Sequence, residues 1–88
     1  MQYTYTILAA WLNCDRSMSD RFAVSLVAES KKTAHRKAAC AVLARYPDVA
    51  DLESPDTLWG STAEILAMFY GDRTEDLVDY VAYDIIYA

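Results

Sequence analysis

Glycine and proline are scarce, with two of each among 88 residues. Since only Gly60 and Gly71 exist, no glycine-rich loop is present to cradle a phosphate. Long irregular connections also have little to build on. Cysteine is limited to Cys14 and Cys40, and histidine to His35. These are too few ligands for a metal site and too few thiols for a disulfide framework. In a reducing compartment both cysteines are expected as free thiols. No basic segment precedes the apolar run Ile7–Leu12, which is itself too short for a signal-peptide core or a membrane span. The expected address is therefore cytoplasmic, with no membrane partner. Cations are missing from the second half. Residues 46–88 carry Arg73 alone against ten Asp and Glu, a balance of −9, while residues 1–45 carry seven Lys and Arg against three acids, a balance of +4. The two halves make up the net charge of −5. Such a division points to a charged partner or to an internal seam of ion pairs.

What is present is apolar and aromatic: 55% hydrophobic, with seven Tyr and two Trp. That is the composition of a folded globular chain. Its length fits one domain, residues 1–88, with a modest core that buries roughly 60–65% of the unfolded surface. From Gln2 to Leu12 the pattern alternates, with Tyr3, Tyr5, Ile7, Ala9 and Trp11 on one side and Thr4, Thr6 and Leu8 on the other. This predicts a strand with one buried face. Asn13–Asp20 is small and polar, and Arg21–Ala28 repeats the alternation with Phe22, Val24, Leu26 and Ala28 inward. Two strands so closely connected should pair antiparallel. Ser30 then caps a helix to about Tyr46, which Pro47 stops. Its apolar side holds Ala34, Ala38, Ala41, Val42 and Tyr46, and Lys32, Thr33, Arg36 and Lys37 lie opposite.

The second half is less uniform. Ser54-Pro55-Asp56 starts about one helical turn that Gly60 limits. Ser61-Thr62-Ala63-Glu64 reads as a capping box, predicting a helix to Tyr70 that ends at Gly71. The tail has two readings. As a strand after Val78, it sets Val81, Tyr83, Ile85 and Tyr87 against Tyr80, Ala82, Asp84 and Ile86. As a helix, it aligns Asp72, Glu75, Asp76 and Asp79 in a carboxylate stripe. The density of tyrosine and β-branched residues favours the strand. The fold expected is α+β: a small antiparallel sheet of about three strands, in the order β-β-α-α-β, with two main helices on one face.

The basic helix start is the sharpest local signal. Ser30-Lys31-Lys32-Thr33-Ala34-His35-Arg36-Lys37-Ala38-Ala39, followed by Leu43, resembles the final-helix motif of double-stranded RNA-binding domains. That resemblance implies phosphate contacts from Lys31, Lys32, Arg36 and Lys37 across a groove. No helix precedes the strands here, as one does in that family, and an acidic chain is a poor duplex binder. Those four cations also sit at the positive end of the helix dipole, which costs about a few tenths of a kcal/mol each. Either an anionic partner or the protein's own acidic half must compensate.

The acidic half is the stronger candidate for binding. Asp48, Asp51, Glu53 and Asp56 make one cluster, and Asp72, Glu75, Asp76 and Asp79 a second. Carboxylates arrayed on a surface imitate duplex phosphates and fit a basic groove on a partner, whose approach they accelerate. Trp59, in a loop among acids, is a candidate anchor for a protein contact. The spacing Asp48-x-x-Asp51-x-Glu53 lacks the pattern of a calcium-binding loop. His35 falls near the apolar side of its helix and is expected to be packed. Five residues separate it from Cys40, so the two do not share a helix face as a nucleophilic pair would require. No G-x-S-x-G or S-x-x-K motif stands out. No enzymatic activity and no cofactor are expected.

In size, acidity, absence of a catalytic motif and ββα opening, the chain resembles the small inhibitors that phages encode against bacterial defences, anti-CRISPR proteins in particular. The resemblance implies stoichiometric obstruction of a basic, nucleic-acid-binding site on a CRISPR effector complex, or imitation of DNA, in the host cytoplasm. A homo-oligomeric accessory protein, in which the +4 half of one copy meets the −9 half of another, is a further alternative.

Overall fold

The computed structural model describes residues 1–81 and 84–88. Two long strands, β1 (Tyr3–Leu12) and β2 (Met18–Ala28), form an antiparallel hairpin running from Tyr3↔Ala28 to Leu12↔Met18. The connection closes through Asn13 N–H to the Ser17 carbonyl at 2.8 Å, with Arg16 at φ 70°. Asp15 Oδ1 accepts from both the backbone N–H and the hydroxyl of Ser17, which holds its carboxyl below the usual range. Helix α1 (Lys31–Arg45) begins where the sequence predicts. Ser30 is the N-cap, its side chain accepting from the Thr33 N–H at 3.2 Å. The helix stops before Pro47.

The front face of the sheet carries the main core. Tyr5, Ile7 and Ala9 of β1 and Phe22, Val24, Leu26 and Ala28 of β2 are buried there against Ala34, Ala38, Ala39, Val42 and Leu43 of α1. The alanines have no side chain beyond Cβ, so the helix axis approaches the sheet closely. Ile7, Phe22, Val24 and Val42 are wholly buried, which contributes about 1.5–3 kcal/mol for each such side chain.

The α+β class holds, with a mixed sheet of four strands in the order β3-β1-β2-β4. The predicted helix from Ser61 to Tyr70 is instead strand β3 (Ala63–Tyr70), paired antiparallel with the free edge of β1. The local capping signal lost to a distant ladder. The Ser61 hydroxyl donates to Glu53 Oε1 at 2.7 Å, and Glu64 lies opposite Ala10 across the sheet. Leu66 is the bulged residue between the Ala67↔Leu8 and Ile65↔Ala9 pairs. The second main helix is therefore absent from the described residues. Beside α1 the described residues form the single helical turns α2 (Pro47–Ala50) and α3 (Thr74–Leu77). Residues 54–58 make one further turn, with the Thr57 and Leu58 N–H groups both reaching the Ser54 carbonyl, as the Ser-Pro-Asp signal predicts.

The tail also departs from expectation. Tyr80 and Val81 N–H groups bond back to the Leu77 carbonyl, so a turn occupies the place given to the start of a strand. Ala82 and Tyr83, assigned to opposite faces of that strand, lie outside the described residues. Strand β4 is only Ile85–Tyr87, and it pairs parallel, not antiparallel, with Ala23–Ser25 of β2.

After β3 the chain, through residues 71–77, passes over the back of the sheet. Thr6, which points away from the main core, is fully buried there. Its hydroxyl donates to the Gly71 carbonyl at 2.8 Å and accepts from the Arg73 N–H at 2.9 Å. Thr74 and Leu77 are buried on the same side. Gly71 supplies the left-handed φ of 82° that turns the chain off β3.

Candidate functional site

The acidic residues fall into three roles. Some organise the loop between α2 and β3. Glu53 Oε1 accepts hydroxyl hydrogens from Ser61 at 2.7 Å and Thr62 at 2.8 Å, and Oε2 accepts from Thr57 at 2.8 Å. These bonds, the one from Ser61 first, hold its carboxyl below the ordinary glutamate range. Asp72 works similarly. Its Oδ1 accepts from the Thr74 hydroxyl at 2.7 Å and the Thr74 N–H at 3.0 Å, again lowering its pKa.

A second set is neutralised. Asp56 pairs with Arg36, Asp76 with Arg73 at 3.3 Å, and Asp84 with Arg45 at 2.9 Å. Asp84 also accepts from the Tyr46 hydroxyl at 3.2 Å, which ties the start of β4 to the end of α1. Part of the charge asymmetry is thus an internal seam joining α1 to the acidic half. Exposed pairs of this kind contribute about 0–1 kcal/mol each, so they orient more than they stabilise.

The third set is free. Asp48, Asp51, Glu75 and Asp79 are exposed, and their side chains make no hydrogen bond or ion pair among the described residues. The structure separates them. Asp48 and Asp51 lie at α2, whose neighbour Val49 packs on the front core, and Leu52 beside them is 80% exposed. Glu75 and Asp79 lie on the segment that crosses the back face, beside Val78 and Tyr80, which are 57% and 56% exposed. The two clusters therefore do not merge into one surface. Around α3, Thr74 and Leu77 turn inward, which leaves the acids and the intervening apolar groups outward.

Trp59 is a tie within the protein. Its indole N–H donates to the His35 carbonyl at 2.8 Å, and its ring stacks over Phe22 with centroids 6.5 Å apart. It fixes the acidic loop to α1 and is half-buried. Val78, Tyr80 and Leu52 take over as the exposed apolar groups among the acids. The sequence pattern does not single them out, because it sets Tyr80 in a strand and gives Val78 and Leu52 no role.

His35 is exposed, not packed. The core side of α1 is centred on Ala38, Ala39, Val42 and Leu43, one step further round than the spacing predicts. Of the four cations at the helix start, Lys31 lies over the Tyr70 ring at 5.6 Å, Arg36 holds Asp56, and Lys37 donates to the Val27 carbonyl at 3.0 Å. Only Lys32 has no such contact among the described residues. A row of phosphate-binding side chains would have to break these contacts first.

Cys14 and Cys40 are free thiols, as expected, and both are exposed. Among the described residues no three His, Cys, Asp or Glu side chains are placed to hold a metal ion, and no helix is long and apolar enough to cross a membrane. No family model, curated protein or solved structure matches the chain.

Proposed function

We propose that this is a non-enzymatic binding protein that obstructs a cationic, nucleic-acid-binding site on another protein, in the manner of the anti-CRISPR inhibitors it resembles. The contact surface is the back-face segment 72–81. One observation carries this reading: Glu75 and Asp79 stand unpaired beside the exposed Val78 and Tyr80. Unpaired carboxylates attract a basic surface from a distance and raise the association rate. An exposed aromatic and an aliphatic group between them supply area to bury once contact is made. Asp72 and Asp76 border the patch, the first held by Thr74 and the second paired to Arg73. Asp48 and Asp51, with Leu52, form a separate and smaller acidic site at α2.

The test has two arms. Plasmid interference by a CRISPR effector is measured in cells with and without the protein, and tagged protein is used to capture partners from host lysate. The reading expects lost interference, and capture of a nucleic-acid-binding protein that a Glu75→Lys/Asp79→Lys variant no longer retains. Intact interference for every effector tried removes the anti-CRISPR role. Undiminished capture by the reversed variant removes the acidic contact. Salt-sensitive self-association of the protein alone would favour the homo-oligomer, and a salt-sensitive duplex gel shift the nucleic-acid module.

A further inference from the structure

Strand β3 is the outer strand of the sheet, and its outer edge has no neighbouring strand among the described residues. Strand β4 and Ala88 lie at the opposite edge, beside β2. The Leu12 N–H bonds to the Thr62 carbonyl and the Gly71 N–H to the Thr4 carbonyl, so residues 62 and 71 turn their backbone groups toward β1. Such groups alternate in direction along a strand. Followed from each end to the bulge at Leu66, the alternation turns Ala63, Ile65, Met68 and Tyr70 outward. The Ala63 carbonyl is taken by the Gly60 N–H at 2.7 Å. The outward N–H and C=O groups of Ile65, Met68 and Tyr70 are unbonded among the described residues.

The bulge decides what this edge can pair with. Ile65 and Met68 oppose Ala9 and Ile7, which are neighbours on one face of β1. Their outward groups therefore have the spacing of a regular ladder, although an extra residue lies between them. Two β3 strands related by a two-fold axis between Leu66 and Ala67 set Ile65 of each against Met68 of the other. Each such pair exchanges both of its backbone bonds. In the same register Ala63 opposes Tyr70 and Glu64 opposes Phe69, so outward residues meet outward ones along the whole strand. Without the bulge, residues 65 and 68 would face opposite ways and this register would fail.

The side chains agree with that arrangement. Ile65 and Met68 already pack on the front core, and across the axis they would join the two cores. Leu66, which is exposed, meets its own counterpart at the axis. Strand β3 has no Lys, Arg or Pro, the common guards of an open edge. Its one charge, Glu64, opposes Phe69 and not a second carboxylate, which would repel it.

We propose that β3 is a self-association edge, through which two copies of the chain pair antiparallel about that two-fold axis into one continuous sheet, four strands from each copy. The contact is isologous, each copy offering the same surface. It rests on backbone bonds and apolar contact, so it persists in salt, unlike an association between oppositely charged halves. Residues 73–77 lie over β1 and β2, away from this edge. The dimer therefore leaves the acids of 72–81 uncovered, and its failure leaves the proposed inhibitor role standing.

Sedimentation of the full chain, from low-micromolar to millimolar concentration at low and high salt, tests the pairing. The expected result is a monomer whose mass doubles with concentration, with a dissociation constant that changes less than about threefold between the two salts. Amide exchange at Ile65 and Met68 should slow in step, about tenfold once nine-tenths of the chains are paired. Leu66→Lys and Leu66→Asp each bring like charges together at the axis and should lose the dimer, and an equimolar mixture of the two should regain it. If a variant fails to fold, the exchange measurement on the unaltered chain decides. A chain that stays monomeric at millimolar concentration overturns the proposal. So does a dimer that leaves exchange at Ile65 and Met68 unchanged, one that Leu66→Lys forms as well as the unaltered chain, or one that high salt dissolves. Slowed exchange at these amides only in the presence of another protein would assign the edge to a foreign strand and overturn it too.

Discussion

The hydroxyl of Thr6 bridges the Gly71 carbonyl and the Arg73 N–H, at 2.8 and 2.9 Å, from a position with no solvent exposure. One side chain of the first strand thereby sets the path by which the chain leaves β3 and presents the acids of 72–81. Replacing Thr6 with valine keeps the shape and removes both bonds, leaving backbone groups beneath the crossover unsatisfied. The expected loss is about 1–3 kcal/mol, read from urea unfolding. A loss below the error of the fit would mean that the crossover is held by packing alone.

Gly71 is the other half of that turn. At φ 82° no atom lies within 4 Å of where a Cβ would sit, so the cost of Gly71→Ala is backbone strain and not collision. It should destabilise by about 1–2 kcal/mol, measurable by thermal unfolding, with the secondary-structure content of the native state unchanged.

Trp59 joins the acidic loop to α1 through a ring stack and a single N–H bond. Trp59→Phe retains the first and deletes the second. A loss of about 0.5–1.5 kcal/mol is expected. If Trp59 were instead an anchor for a partner, the variant would unfold like the wild type and lose affinity.

Glu53 makes stability pH-dependent in a defined sense. Its folded-state pKa is lowered by the hydroxyls of Ser61, Thr57 and Thr62, so the native state binds its proton less readily than the unfolded state. The associated stability is fully present above the unfolded value of about 4.3. It disappears as pH falls through the lower folded value. Asp72 and Asp15 act in the same direction. Thermal scans from neutral pH down to acid should therefore show a falling Tm, with a shallower fall in Glu53→Gln. Parallel curves for the two proteins would contradict the role given to this carboxylate.

Glu75 and Asp79 should behave in the opposite way. Exposed and unpaired, they have no structural bond to lose, and Glu75→Lys/Asp79→Lys should leave stability within about 0.5 kcal/mol of the wild type. A large change in urea unfolding would show that they serve the fold, not a partner.

Local signals were legible wherever the neighbours along the chain decide the outcome. The β1–β2 alternation, the Ser30 cap, the Pro47 stop and the burial of Ala34, Ala38 and Val42 in α1 all appear as their residues predict. The Ser61–Glu64 capping box failed because Glu53, a residue outside the motif, takes the Ser61 hydroxyl, and because β1 offered a complete ladder to residues 63–70. A window of sequence contains neither fact. Similarly, the acidic residues looked alike in sequence. Only their distant partners Arg36, Arg45, Ser61 and Thr74 separate structural carboxylates from free ones.

Composition and short-range pattern alone thus determined the α+β class, the opening hairpin, the helix that follows it and the sorting of charge between the halves. Those properties depend on residues a few positions apart, whose spacing is written directly in the chain. Tertiary structure decided that residues 63–70 extend as a strand, that the tail pairs parallel to β2, and that the two acidic clusters occupy opposite sides of the sheet. Each of these outcomes depends on contacts between residues far apart in sequence, where the energy of a completed sheet edge outweighs a local preference for helix.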